Sequence, residues 1–357
     1  MRRSTLRARV AAIILSALAV AGSATLSPEA TAAPTPAPQA ARATAFDLQA
    51  HRGGRGEHTE ESLAGFASAM QLGVSTLELD IVLTRDLQPI IWHDPTIQAD
   101  KCRDTAPAVP GDPQFPYVGK VVHDLTYRQI STLRCDKRLP DFPDARQVPG
   151  NRIALLPDLF ALARKMGAKR IGYNIETKIE AEKRWQSASP EEYVGVIVAA
   201  IRAAAVAQGA PINATIQSFD WRTLPLVARV APDLPRVALW DETTWKPGSR
   251  WLGPVSYARV RGDVIAGARQ VASVLSPGYS VPYGATPADP GFRLVADKAF
   301  IDRAHRLGLK VIPWTINDAG AINAQIDAGA DGIITDYPTR LRSIMRERGM
   351  PLPTPIR

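Results

Sequence analysis

Glu78 and Asp80 lie two positions apart, interleaved with Leu77, Leu79 and Ile81. That alternation predicts a strand sending its aliphatics to one face and both carboxylates to the other. Neighbouring acids on one strand face repel unless a cation or water relieves them. A third acid comes from Tyr173-Asn174-Ile175-Glu176-Thr177-Lys178, where Asn174, Glu176 and Lys178 share a face. Three converging carboxylates form a hard oxygen site, suited to a divalent metal such as Ca²⁺ or Mg²⁺. Histidine-rich zinc spacing is absent, and the acids outnumber the histidines. His51 and His93 each follow a strand-like run and are read as a catalytic acid–base pair. Arg52 and Lys178 add positive charge beside the acids, which is what a phosphate needs. Gly53 and Gly54 would let backbone approach a ligand closely. The competing reading places each acid on a solvated edge or in a structural ion pair, with Arg52 and Lys178 as ordinary salt-bridge partners. Surface or packing roles suffice for His123 and His305.

These residues need elements to hold them. Strand-like segments fall at 46–51, 76–82, 170–177, 214–219, 236–240, 272–276, 310–316 and 332–335. Helical patterns fit 60–72, 157–166, 191–208, 221–230, 292–307, 319–328 and 339–348, while 245–267 shows no clean helix. Alternating strand and helix argues for a parallel sheet covered by helices. Eight strands point to a closed TIM-type (β/α)8 barrel, with Leu77, Leu79 and Ile81 facing the helices and Glu78 and Asp80 pointing inward near the mouth. The barrel is assigned to 45–348, followed by a tail at 349–357. One connection is far longer than such units usually need. Residues 95–156, after the second strand, form an insertion on the functional face, with a short helix in 124–133.

The chain has 357 residues, 45% hydrophobic, and a formal charge of +8. Residues 1–32 read as a secretory signal: Arg2, Arg3, Arg7 and Arg9 precede an apolar run at 10–21, and Ala30-Thr31-Ala32 is a small-x-small cleavage site. Arg2-Arg3-Ser4-Thr5-Leu6-Arg7 partly resembles a twin-arginine signal, and the Pro/Ala-rich stretch 33–44 is a disordered lead-in. The apolar run is shorter than the ~20 residues of a membrane span. Removing the leader leaves a charge of about +5, which steers anionic substrates, and no Lys/Arg block supports nucleic-acid binding. An even pair of cysteines in an exported protein, Cys102 and Cys135, points to a disulfide stapling the insertion.

Taken in chain order, His51-Arg52-Gly53 with Glu57-x-Thr59, then Glu78-x-Asp80, Thr84-x-Asp86 and His93-Asp94 resemble the glycerophosphodiester phosphodiesterases. Glu176-Thr177-Lys178, Gln217-Ser218-Phe219, Pro313-Trp314-Thr315-Ile316-Asn317 and the run from Ala330 to Pro338 agree. The resemblance implies a TIM-type barrel, a divalent metal, and hydrolysis of glycerophosphodiesters to sn-glycerol 3-phosphate and an alcohol. By position it implies Glu78, Asp80 and Glu176 as metal ligands, His51 and His93 as the catalytic pair, Arg52 as a phosphate contact and Trp314 as an aromatic near the substrate pocket. Where the family has Glu-Asn-Thr, this chain has Glu57-His58-Thr59, with Thr59 expected to cap the first helix. Two other functions fit the same residues. One is a phospholipase D-like lyase or lysophospholipase D; the other is a silent extracellular binding protein.

Overall fold

The computed structural model describes residues 45–357. The signal and lead-in expected at 1–44 lie outside the described residues. Eight parallel strands form the predicted barrel: β1 (Asp47–Ala50), β2 (Thr76–Leu83), β3 (Gly172–Thr177), β4 (Asn213–Ser218), β5 (Arg236–Trp240), β6 (Val274–Pro277), β7 (Lys310–Val311) and β8 (Gly332–Thr335). Helices α1 (Leu63–Leu72), α2 (Leu156–Lys165), α3 (Pro190–Gln208), α4 (Thr223–Val230), α5 (Val264–Ala268), α6 (Lys298–Arg306), α7 (Ala319–Ala328) and α8 (Pro338–Glu347) follow the strands in turn. Seven adjacent strand pairs run in order from β8 through β1 to β7. The gap between β7 and β8 is bridged by Asp331 N–H to Val311 (2.9 Å), Ile334 N–H to Pro313 (3.1 Å) and Ile316 N–H to Ile334 (3.0 Å).

Regular pairing in β7 stops well short of the predicted 310–316 because Pro313 carries no N–H. The chain stays extended there, and Trp314 still donates to Pro277 at 3.0 Å. Helix α1 starts at Leu63 rather than residue 60. Ser62, not Thr59, is the cap, its Oγ accepting from Gly65 N at 3.0 Å. Glu61 just before it is left-handed (φ 55°), so no helix can pass through it. Helix α6 begins at Lys298, capped by Asp297, because residues 293–294 are drawn into a small hairpin with 280–281. The stretch where no helix was expected ends in α5, too short to show a period.

Leu77, Leu79 and Ile81 are fully buried in one cluster with Phe66 and Met70 of α1 and Leu159 and Phe160 of α2. Burial of each such side chain contributes about 1.5–3 kcal/mol. The other face of β2 therefore looks into the barrel.

The long connection opens with Pro89–Ile91, which folds back antiparallel on the end of β2. It then builds a core of its own from Trp92, Ile97, Tyr117, Leu125, Ile130 and Leu133. The predicted short helix is a single turn at Tyr127–Ile130. Cys102 and Cys135 are bonded, beside a backbone bridge between Arg103 and Arg134.

Candidate active site

Register brings the acids together. Asp80 of β2 stands beside Glu176 of β3, and Glu78 beside Asn174, in the same parallel pairing. Oxygens of Glu78, Asp80 and Glu176 all lie within 4.8 Å of one another, and all three residues are buried. Burial raises Glu78 well above the usual carboxylate range, with Asp80 adding to it. Burial likewise pushes Glu176 up to about 8, Lys178 pulling against it. Burial would also raise Asp80, but Arg52 and then Lys178 outweigh it and hold that carboxylate low. Among the described residues no lysine or arginine forms an ion pair with Glu78; the ring nitrogen His51 Nε2 lies 3.9 Å from it. Such a set holds protons at neutral pH unless a cation replaces them. Three buried hard oxygens are the donor chemistry of a divalent metal, so these residues fit one.

Beneath the acids the barrel holds a set of amides on β1, β3 and β4, facing an aliphatic cluster of Val237, Val274, Ile312 and Ile334. Gln217 donates to Glu78 Oε1 at 2.6 Å, and Asn174 donates to Gln217 (2.8 Å) and to Gln49 (2.9 Å). Asn174 in turn accepts from Thr215 Oγ1 at 2.8 Å. Arg52 N–H donates to the other Glu78 oxygen at 2.9 Å, made possible by a left-handed turn at Arg52 (φ 49°). A satisfied network of this kind fixes the carboxylate's orientation.

Each imidazole has its own acid. His51 sits in the turn after β1, with Nδ1 2.5 Å from Asp336 Oδ1. Asp336 follows β8 and is gripped by Asn317, which donates to Oδ2 at 2.7 Å and accepts from the Asp336 N–H at 3.0 Å. His93 Nδ1 lies 3.0 Å from Asp94, whose other oxygen accepts from Lys101 at 2.6 Å. Lys101 also reaches Glu60 at 2.6 Å. Both rings thus keep Nε2 for the mouth. Burial lowers His51, with Asp336 opposing. Burial, then Arg52 and Lys178, lowers His93, although 31% of that side chain meets solvent.

The cations sit differently from the simplest phosphate-binding picture. Arg52 is buried, its Nε 3.0 Å from Asp80 and its Nη1 3.3 Å from Glu60. Lys178 Nζ lies 2.9 Å from Glu176. The Glu57-x-Thr59 pair does not join the cluster. Glu57 accepts from Thr339 N (2.9 Å) and Oγ1 (2.8 Å) at the start of α8, and Thr59 Oγ1 accepts from Val148 N of the insertion at 2.9 Å. His58 makes a backbone bridge to Arg146. The acids that do reach the site from this loop are Glu60 and Glu61, the latter accepting from Asp80 N at 3.3 Å. His123 Nδ1 faces the Leu83 carbonyl (3.2 Å), and His305 pairs with Asp331 (2.8 Å) outside the mouth.

Trp314 stands across the opening. Its Nε1 donates to Ser276 O at 2.9 Å, and its ring meets Phe219 edge-on at 5.3 Å and Tyr283 at 6.0 Å. The mouth therefore has two halves. Strand ends β8, β1, β2 and β3 supply imidazoles, acids and Lys178, and β4, β6 and β7 supply rings, with Asp241 at the end of β5. Sequence reasoning missed Asp336, Asn317, Glu60, Lys101 and Gln217 as site residues. Gln217 falls on an inward strand position, and Asn317 and Asp336 lie in segments that carry the family resemblance, so these three were detectable; Glu60 and Lys101 have no local signal.

The Glycerophosphoryl diester phosphodiesterase family model matches residues 51–340. A Caldanaerobacter subterraneus subsp. tengcongensis glycerophosphodiester phosphodiesterase is 26% identical over 303 residues, 84% of this chain and 98% of the relative. Lysophospholipase D GDPD3 of Homo sapiens is 24% identical over 314 residues, 85% and 86% of the two chains. A solved Oleispira antarctica phosphodiesterase, OLEI02445, in complex with the product sn-glycerol-3-phosphate, has the same fold. Its TM-score is 0.57 at 19% identity, over 84% of this chain and 96% of that one. By the match across most of its length, this chain belongs to the glycerophosphoryl diester phosphodiesterase family and is an enzyme of that family.

Proposed function

We propose that this enzyme hydrolyses glycerophosphodiesters to sn-glycerol 3-phosphate and an alcohol, with His51 and His93 exchanging the protons. The observation that carries this is one cluster of three buried carboxylates flanked by two imidazoles, each oriented by its own acid. Glu78, Asp80 and Glu176 would hold the divalent metal, Ca²⁺ or Mg²⁺. Bound there, it supplies charge neutralisation to a phosphoryl oxygen. Lys178 adds a second positive charge on that side of the mouth, and Arg52 keeps Asp80 ionised and in place. One imidazole takes a proton from the attacking water, or from the glycerol 2-hydroxyl in a first step to a cyclic phosphate that water then opens, and the other gives a proton to the leaving alkoxide. Asp336 and Asp94 hold the rings with Nε2 forward throughout. The N-terminal segment, read as an export signal, supports action outside the cytoplasm.

The test is a panel of glycerophosphodiesters, with a lysophospholipid alongside, assayed after EDTA treatment and again after Ca²⁺ or Mg²⁺ is restored. Metal-dependent release of glycerol 3-phosphate is expected. His51→Ala and His93→Ala should each cut kcat by roughly 10²–10⁴-fold. Near-normal turnover in either folded variant overturns the assignment. The lysophospholipid belongs in the panel because relatives named lysophospholipase D match over most of this chain.

A further inference from the structure

The aromatic half of the mouth has no part in the proton chemistry, yet it is built with a carboxylate at its centre. Asp241 follows β5 and is only 7% exposed. Its Oδ1 accepts from Thr243 N (2.7 Å), Thr243 Oγ1 (2.6 Å) and Thr244 N (3.0 Å). Among the described residues Oδ2 has no hydrogen-bond partner, and no lysine, arginine or histidine forms an ion pair with Asp241. Oδ2 is therefore the carboxylate oxygen left open to a ligand's positive charge.

Rings surround this acid. Gly278, after β6, marks the meeting point. A methyl group on its Cα would lie 3.4 Å from Asp241 Cβ, 3.4 Å from Tyr283 Cδ2 and 3.6 Å from Trp314 Cζ2. Phe219 closes the side nearest the metal ligands, packed on Trp314, with Lys178 Nζ 5.8 Å from its centre. Tyr283 lies within the fields of both halves: burial raises its phenol and Asp241 adds to this, while Lys178 and Arg52 pull it down. It is 48% exposed, with its N–H donating to Glu242 Oε1 at 2.8 Å and its ring against Trp314.

We infer that Phe219, Asp241, Tyr283 and Trp314 form a subsite for a cationic leaving alcohol, a quaternary ammonium such as choline. This rests on the hydrolytic function proposed above. Ring faces attract an ammonium through their quadrupoles, and a neighbouring carboxylate adds a full charge. The order along the mouth suits such a substrate: Lys178 and the metal ligands meet the phosphate, and beyond Phe219 the rings and Asp241 meet the cation. An uncharged or acyl alcohol would leave Asp241 desolvated and unpaired, which discriminates against it.

The experiment compares kcat/KM for glycerophosphocholine with that for the diester of 3,3-dimethylbutanol, its neutral isostere with carbon in place of nitrogen. The wild-type enzyme should favour the choline diester by about tenfold or more. Asp241→Asn, which keeps the Oδ1 hydrogen bonds, should bring that ratio close to one, and Tyr283→Leu, at a half-exposed position, should lower it severalfold. Equal wild-type rates on both diesters, or an unchanged ratio in both variants, overturn the subsite and leave the hydrolytic assignment standing. Failure to cleave either diester while other glycerophosphodiesters are hydrolysed overturns the subsite alone, and failure on every glycerophosphodiester with metal present overturns the hydrolytic assignment itself.

Discussion

His51 and Asp336 are 285 positions apart in the chain, and their Nδ1 and Oδ1 atoms are 2.5 Å apart across the β1–β8 pairing. The acid is buried and anchored by Asn317, so its position does not depend on substrate. On the proposed mechanism Asp336 positions His51. Asp336→Asn should lower kcat by roughly 10²-fold or more while changing KM little. Steady-state kinetics beside a melting curve checks this. A folded variant with unaltered kcat would show that His51 works without this partner.

The second imidazole depends on the insertion. Lys101 joins Asp94 to Glu60, and through Asp94 it fixes the His93 ring. Lys101→Met should reduce kcat roughly tenfold and shift the acidic limb of the pH–rate profile, because Asp94 loses its counter-charge. Lys101→Arg should recover much of the loss. A variant with reduced kcat but a wild-type pH profile would point to packing alone.

The acid cluster makes a prediction of unusual sign for the metal-free protein. Glu176, raised from 4.5 to about 8, binds a proton in the folded state that the unfolded chain lacks across that interval. Its contribution to stability is present at low pH and is lost as pH rises toward 8. His51 and His93 are lowered from 6.5, so they oppose this trend only below that value. Between pH 8 and 6.5 the Tm of EDTA-treated enzyme should therefore rise as pH falls, and saturating Ca²⁺ or Mg²⁺ should flatten the slope. Metal addition at pH 7 in weak buffer should release protons measurably. A Tm independent of pH and no proton release would contradict a protonated cluster.

Reducing the Cys102–Cys135 bond should separate stability from metal affinity. The bridge closes a segment of 33 positions, and its loss should cost about 2–4 kcal/mol of unfolding free energy. Glu78, Asp80 and Glu176 stand on β2 and β3, outside that segment, so metal affinity should hold. Lys101 adjoins Cys102, so kcat should fall. Denaturant melts and metal titration of the Cys102→Ser/Cys135→Ser double variant measure both effects. Weakened metal binding in a folded variant would overturn the separation.

The barrel was legible because β2 states its inside and outside in five residues: Leu77, Leu79 and Ile81 face helices and Glu78 and Asp80 face the lumen. The three-acid cluster followed from that alternation and the matching one around Glu176. What stayed hidden was whatever depends on chain closure. Asp336 reaches His51 only once β8 pairs with β1, and Lys101 reaches Asp94 only once the insertion has folded. The entry to α1 was misread because Thr59 and Ser62 are both good caps in sequence. The left-handed Glu61 between them decides for Ser62, and residue type alone does not reveal that φ.

The division of the mouth between two sets of strand ends has a consequence for how such an enzyme can diversify. On the proposed mechanism the proton-exchanging groups and metal ligands sit on β8 through β3, so the loops following β4 through β6 can be exchanged like interchangeable tool heads, while the loop after β7 must keep Asn317 for Asp336. New leaving groups then become accessible by grafting those loops alone, with the hydrolytic apparatus inherited intact.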